Sequence, residues 1–282
     1  MVRRTTRRTT RRNTKRVYRK KSRGGTRKRT TRRRSQVTNK RILNVSTTKK
    51  SDTLLGAGQP AAPLVYNPVN GVTIPGDIAN FSVYMWCPTY RQNGGASTYN
   101  RRGKTRTYFR GIKENVELFI PSACPLQWRR LVVASPLNVV NTVSYDTGDM
   151  YYQGRTQTPQ FSSYFAFLEV IMQGTFGTDY NNHFTAKVDT KRAEVLYDKT
   201  RTISPKTTKG AIQKFKFWHA VNKNLTYDDE EQGGIIASSP WAVQSPGNNN
   251  IYIIDLFAGY NVATTTERAN WAVNSTVYWH ER

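Results

Sequence analysis

From Phe81 onward the chain falls into short runs of β-branched and aromatic residues separated by Gly, Asn, Pro and Asp, the pattern of strands joined by turns. Residues 105–120 carry the cleanest alternation. Ile112, Val116, Leu118 and Ile120 lie on one face and Lys113, Asn115 and Glu117 on the other, which predicts a half-buried antiparallel strand. A shorter strand is predicted over 127–134, and a hairpin-like pair over 184–189 and 194–204, joined by Thr190, Lys191, Arg192 and Ala193. Residues 212–221 set Ile212, Lys214, Lys216 and Trp218 against Gln213, Phe215, Phe217 and His219. Two late strands are predicted over 251–257 and 271–279. One segment changes period: Phe161, Tyr164, Phe165, Leu168 and Met172 recur at helical spacing, with Gly174 suited to the cap. A strongly apolar buried strand is the alternative reading there. The whole is an all-β sandwich or barrel with one short helix.

Upstream the pattern disappears. Residues 51–80 are rich in Gly, Pro, Ala and Asn, and Pro60, Pro63, Pro68 and Pro75 forbid a helix, so this stretch reads as a connector. Within residues 1–36 the only apolar or aromatic side chains are Met1, Val2, Val17 and Tyr18, too few to offset the entropy of ordering the backbone. The expected division is a disordered arm over 1–41, a tether over 42–80 and one folded domain over 81–282.

Charge sharpens that division. The first fifty residues hold 15 Arg and 7 Lys and no acid, the first carboxylate being Asp52. Residues 51–282 then hold 22 basic and 18 acidic side chains, a net of +4, so the basicity belongs to the arm and not to the fold. A polyanion is the partner such an arm meets. Arg3, Arg4, Arg7, Arg8, Arg11, Arg12, Lys15, Arg16, Arg19, Lys20, Lys21, Arg23, Arg27, Lys28, Arg29, Arg32, Arg33 and Arg34 are the candidate phosphate contacts, a mode that neutralises charge without reading bases. Tyr18 can stack on an unpaired base. A solvated charge run is the bland alternative, and a transit peptide would need an apolar stripe that is missing. The run from Arg19 to Arg34, with Lys20, Lys21, Arg23, Arg27, Lys28, Arg29, Arg32 and Arg33, is also dense enough for a nuclear-import signal. Within the folded part, Arg101, Arg102, Lys104, Arg106 and Arg110 interleave with Thr107, Tyr108 and Phe109 and extend the candidate nucleic-acid surface; a solvated face or a charge-paired subunit edge is the alternative.

Catalytic chemistry finds no constellation. The three histidines, His183, His219 and His280, sit in no HExxH or Cys/His ligand spacing, and no cofactor or metal is expected. Gly56-Ala57-Gly58 and Gly233-Gly234 complete no phosphate-loop motif and read as connectors. Asp228-Asp229-Glu230-Glu231 is the one acidic cluster, read as a solvated loop or a contact for a basic neighbour, since four consecutive side chains cannot converge on one ion. Cys87 and Cys124 read as two buried thiols. No run of 18 apolar residues or signal-peptide core occurs, so neither a membrane partner nor secretion is expected.

A polybasic arm, a Pro/Gly tether and an all-β core of about eight strands is the organisation of a single-jelly-roll viral capsid protein. Several segments narrow the resemblance. They are Lys40-Arg41-Ile42-Leu43-Asn44 with Thr47 to Thr53, Phe109-Arg110-Gly111-Ile112-Lys113-Glu114-Asn115, and Leu126-Gln127-Trp128-Arg129-Arg130. Further on come Gln173-Gly174-Thr175 with Gly177 to Tyr180, Thr185 to Thr190, Val195 to Ser204, and Lys216-Phe217-Trp218-His219 running on to Glu231. In consistent order over residues 40–231, these resemble capsid proteins of small circular single-stranded DNA viruses, most like genomoviruses and more distantly geminivirus coat proteins. Tyr180 departs from the Trp expected there. The resemblance implies an all-β, single eight-stranded antiparallel jelly roll with one short helix in a connecting loop and a disordered basic N-terminal arm. It implies a structural, non-enzymatic subunit of a small icosahedral shell, a homo-oligomer of about sixty copies, enclosing circular single-stranded DNA. Sixty arms would bring on the order of 1300 charges, matched to roughly a kilobase or two of single strand. The arm would engage host nuclear-import receptors, placing the protein in the host nucleus during assembly and in the virion afterwards. Rival expectations are a nuclear shuttle that binds single strands without a shell, a small RNA virus capsid, and a chromatin or ribosomal protein, which would be basic throughout.

Overall fold

The computed structural model describes residues 39–55, 72–74, 81–94, 100–120, 125–138, 144–146, 151–153, 156–158, 163–206, 209–232, 235–243, 247–259 and 269–282. The chain divides into two units, Met1–Ile42 and Leu43–Arg282. Of the first only the opening turn of helix α1 (Asn39–Ser46) is described, so the arm expected over 1–41, with its phosphate and import residues, lies outside the described residues up to 38. Residues 39–41 and the start of the expected tether are helical, a second helix that the sequence reading did not place.

The second unit is built from strands. In chain order these are β1 (Thr48–Leu55), β2 (Val72–Ile74), β3 (Ser82–Trp86), β4 (Arg106–Ile120), β5 (Leu126–Ser135), β6 (Ser144–Asp146), β7 (Tyr151–Gln153) and β8 (Thr156–Thr158). Helix α2 (Ser163–Ile171) follows, then β9 (Glu194–Ile203), β10 (Ala211–Gln232), β11 (Ile235–Ala242), β12 (Asn250–Gly259) and β13 (Ala269–Glu281). One sheet has the order β1-β13-β4-β10-β11, with β2 beside β13, and the other β8-β3-β12-β5-β9. Every ladder within these two sheets is antiparallel.

Eight of the strands form a frame. Numbered along the chain as β1, β3, β4, β5, β9, β10, β12 and β13, they lie first-eighth-third-sixth in one sheet and second-seventh-fourth-fifth in the other. That is the double Greek key of a jelly roll, with two sheets face to face. Strands β2, β8 and β11 extend the edges, and β6 pairs β7 apart from them.

The strand readings over 105–120, 127–134, 194–204, 212–221, 251–257 and 271–279 correspond to β4, β5, β9, β10, β12 and β13. The helix reading over 161–172 corresponds to α2 over 163–171, residues 161 and 162 lying outside the described residues. Past its end, Gly174 adopts φ 94, and an added Cβ there would sit 2.5 Å from the Asp179 side chain. Two readings are corrected. Residues 184–189 form a turn and a single bridge rather than a strand: Asn182 accepts the backbone N–H of Phe184 through its side chain and that of Ala186 through its carbonyl, and Val188 pairs Met172 in an isolated antiparallel bridge. Phe184, Ala186 and Val188 are buried on alternate positions, so the period of two records packing with one bridge in place of a ladder. The connector assigned to 42–80 contains β1, the first strand of the jelly roll, which pairs β13 along its whole length. Its sequence, TKKSDTLL, has almost no apolar alternation because ion pairs hold it. Lys50 meets Glu281 at 3.1 Å, and Asp52 is bonded by Arg91.

The two sheets bury different amounts. Strands β5 and β12 are buried on nearly every residue, because the face of their sheet turned away from the sandwich packs Leu131, Val133, Tyr252 and Ile254 with Phe167, Leu168, Ile171 and Met172, from α2 and the residue after it. Cys87 lies in that cluster, its thiol pushed up to about 12 by burial, as a buried thiol should be; Cys124 lies outside the described residues. Strands β4 and β13 alternate between buried and exposed.

Between the sheets the apolar core falls into two clusters, one around Phe109, Ile112, Val132, Ile253 and Val277 and one around Val116, Trp128, Phe257, Trp271 and Val273. A charged layer separates them. Arg130 on β5 bonds both oxygens of Asp255 on β12, at 2.6 and 3.0 Å, and reaches across the sandwich to Glu114 on β4 at 2.7 Å. Trp128 Nε1 donates to Asp255 at 2.8 Å and Ser275 Oγ on β13 donates to Glu114 at 2.7 Å. The Arg130 guanidinium also lies 4.5 Å from the Phe217 ring centroid on β10. Burial opposes its charge, but Asp255 and Glu114 outweigh that and hold its pKa above the ordinary arginine value.

Two predictions follow from this packing. Arg130→Met strands two buried carboxylates and is expected to destabilise the domain by about 3–5 kcal/mol in urea titrations, with Arg130→Lys failing to restore the bidentate pair. His183, packed between Phe81 and Phe176 at ring distances of 5.0 and 4.8 Å, has its pKa lowered from 6.5 to about 4 by burial first and by Arg129 second. The unfolded chain therefore binds the extra proton first. The resulting stability is complete above about pH 6.5 and is lost as pH falls towards 4. A melting series at stepped pH should show that slope, and His183→Phe should flatten it.

Candidate nucleic-acid interface

The first sheet turns one face to the core and leaves the other to solvent, so the alternation of its strands decides which side chains a ligand can meet. On β4 the inward set is Ile112, Glu114, Val116, Leu118 and Ile120, and the outward set Lys113, Asn115, Glu117 and Phe119. On β10 the outward set is Ile212, Lys214, Lys216 and Trp218, in register with Phe119, Glu117, Asn115 and Lys113. Strand β13 adds Asn274, Thr276 and Tyr278, and β1 adds Lys49, Ser51 and Thr53.

Two register shifts meet at one level of this face. On β4, Arg110 is the residue passed over where Tyr278 pairs Gly111 and Trp279 pairs Phe109; on β10 the shift lies between Ala220 and Lys223. Asn222 sits in the second shift at φ 50, the one non-glycine with positive φ among the described residues, a conformation Asn tolerates better than most. Its side-chain oxygen accepts from Arg110 and from Tyr108 Oη, the latter at 3.4 Å. Because the bulge adds one residue to β4, the outward set continues as Arg110, Tyr108 and Arg106 while Thr107 and Phe109 turn inward. Gly111 is bare for a reason: an added Cβ would lie 2.8 Å from the Trp218 indole and 2.6 Å from the His219 carbonyl. The indole is thus seated across β4, with Tyr278 beyond it at a ring distance of 5.8 Å, and it remains 49% exposed.

Charge on this face is one-sided. Lys49, Arg106, Arg110, Lys113, Lys214 and Lys216 are exposed between Ile212 and Thr226 and across the paired strands, and Glu117, the carboxylate among those outward positions, is taken by Lys214 at 3.0 Å. Burial, and after it Lys49 and Arg110, lowers the His280 pKa, so the imidazole beside Tyr108 favours its neutral form.

The sequence-predicted patch is partly retained. Lys104, Arg106 and Arg110 are exposed, and Arg101 is half-buried with its carbonyl accepting Lys50 Nζ at 3.0 Å. Arg102 is corrected. Its side chain is fully buried, with the guanidinium 4.1 Å from the Tyr227 ring centroid and donating to the carbonyls of Arg91, Lys104 and Ser239. It clamps the loop ahead of β4 to the end of the sandwich, so no phosphate can reach it. The acidic run is corrected too: Asp228, Asp229, Glu230 and Glu231 lie within β10, not on a loop, with the last three paired to β11. Residues that the patch reading missed are Lys49, Lys113, Lys216, Trp218 and Tyr278. The alternation over 212–221 had already put Lys216 and Trp218 on one face, and a bulge signal at Gly111 was the missing part.

The class defined by these features is a jelly-roll β-sandwich with a basic, aromatic outer sheet face. Among solved structures the chain is similar to the VP1 pentamer of Human Polyomavirus 6, at 9% identity over 82% of this chain and 93% of that one, TM-score 0.26. It is also similar to VP1 of Trichodysplasia spinulosa-associated polyomavirus in complex with GM1 oligosaccharide, at 6% identity over 83% and 92%, TM-score 0.22. No protein-family model and no curated protein matches the sequence.

The different settings of Arg102 and Arg106 are separable by substitution. Arg102→Met is expected to lower the domain's stability by about 2–4 kcal/mol in urea titrations. Arg106→Gln, at an exposed position, should leave the melting temperature unchanged.

Proposed function

We propose that this chain is a viral capsid protein that assembles through its sheet edges and loops into a closed icosahedral shell and packages circular single-stranded DNA. The observation that carries the reading is the segregation of charge: an acid-free segment with 20 basic residues by Arg41, ahead of a jelly roll with 24 basic side chains to 18 acidic ones. A double sheet with a small excess of charge can tile against copies of itself with far less self-repulsion than the arm would cause, while an arm that reads no sequence condenses whatever genome is present. Arg3 to Arg34 neutralise phosphate, and the denser run from Arg19 to Arg34 engages host import receptors and carries new subunits to the nucleus. The role is structural rather than catalytic. The segments quoted above from residues 40–231 support DNA over RNA as the genome, by resemblance to capsid proteins of circular single-stranded DNA viruses.

Negative-stain microscopy of the purified full chain is expected to show uniform closed particles whose contents are circular and sensitive to DNase but not RNase. Monomers that merely coat added single strands would instead identify a shuttle protein, and RNase-sensitive contents an RNA virus capsid. Replacing the arginines of residues 3–34 by glutamine should abolish encapsidation and lower the salt slope of DNA binding while the domain's melting stays where it was. Loss of folding in that variant would make the arm part of the fold.

A further inference from the structure

We infer that the outer face of the first sheet around Trp218 is a second nucleic-acid site, taking unpaired bases of a single strand on the Trp218 and Tyr278 rings while Lys113, Lys216, Arg110 and Lys49 hold the flanking phosphates. The inference rests on the packaging reading above and deepens it, because it assigns base contact to the folded domain where the arm supplies phosphate contact alone.

Three observations converge on it. Trp218 does no work in the core: on β10 the residues on either side, Phe217 and His219, pack inward, whereas the indole lies on the solvent side and is 49% exposed. Covering such a ring is favourable, and an indole exposed beside Tyr278 offers an aromatic surface to a planar partner. It is also held in place. Gly111 leaves bare backbone beneath the indole, and Tyr278 flanks it at 5.8 Å and 52°. Stacking on a ring already seated sacrifices little side-chain freedom.

Charge selects the partner. The cations around the ring outnumber the carboxylates, and Glu117 is already occupied by Lys214. A second copy of this same face would bring like charges together, whereas a polyanion with exposed π-faces satisfies both the rings and the lysines. A duplex offers the phosphates but hides its base faces within the stack, so the geometry favours a single strand.

The test uses the full chain and its arm variant with the arginines of residues 3–34 changed to glutamine, each titrated with a ten-nucleotide oligothymidylate and with a ten-base-pair duplex. Single strands should quench tryptophan fluorescence in both proteins, the duplex much less. In the arm variant, Trp218→Ala should abolish the quench and weaken single-strand affinity on the order of tenfold. Lys113→Gln with Lys216→Gln should lower the single-strand salt slope by about 1.4 and serves as the second variant if Trp218→Ala melts early. Unchanged quench and affinity in a folded Trp218→Ala protein, or an unchanged slope in the double lysine variant, would overturn the inference. So would a Trp218→Ala effect confined to particle assembly, which would make this face a contact between subunits. The packaging reading fails on other grounds, namely wild-type protein that forms no closed particle or particles free of nucleic acid.

Discussion

The guanidinium of Arg130 sits where the two sheets and the two halves of the core meet, and much else in the domain is arranged around it. It reaches Asp255 within its own sheet and Glu114 in the opposite one, with Trp128 and Ser275 supplying further hydrogen bonds to the two carboxylates. A buried ion cluster of this kind adds little net stability over an apolar layer of the same volume, but losing any member leaves charge stranded in a medium that cannot solvate it. Its consequence is for register. Glu114, Arg130, Asp255 and Ser275 come from four strands, and a slip of one residue in any of them would turn that group to the other face of its sheet. The apolar clusters on either side fill the sandwich; the charged layer says how the strands must be aligned to close it.

Burial divides the work between the sheets. Strands β3, β5 and β12 at the centre of the second sheet are covered twice, by the facing sheet and by α2 with the segment over 172–193, and so have little side-chain surface left to offer, whereas the edge strand β9 is largely exposed. The other sheet is covered once. Its outward side chains face solvent, some of them paired with one another, and the paired bulges at Arg110 and Asn222 gather cations and aromatic rings there that a regular ladder would have split between faces. Arginine plays opposite parts a few residues apart: Arg102 is consumed holding a loop to the end of the sandwich, while Arg106 and Arg110 face solvent.

Strands whose inner faces are aliphatic or aromatic were legible from alternation, as over 105–120, 251–257 and 271–279. Strand β1 was not, because Lys50 and Asp52 take the inward positions and bond Glu281 and Arg91, so its inner face looks polar in sequence. The reverse held over 184–189, where alternate burial is genuine but no strand lies alongside. Glu114 illustrates both cases at once. It falls in step with Ile112 and Val116, so alternation alone puts it inside, yet nothing near it in sequence names the Arg130 and Ser275 that make that position tolerable.

What the sequence determined by itself was local or additive: the period of the apolar strands, helix α2, and the concentration of positive charge before Asp52, since each depends on neighbours in the chain or on composition alone. The tertiary structure decided which charges are spent internally and which remain on the surface. Pairing Arg102 with Tyr227, Arg130 with Glu114 and Asp255, or Trp218 with the bare backbone at Gly111 joins residues far apart in sequence, and only the closure of two antiparallel sheets brings them within bonding distance.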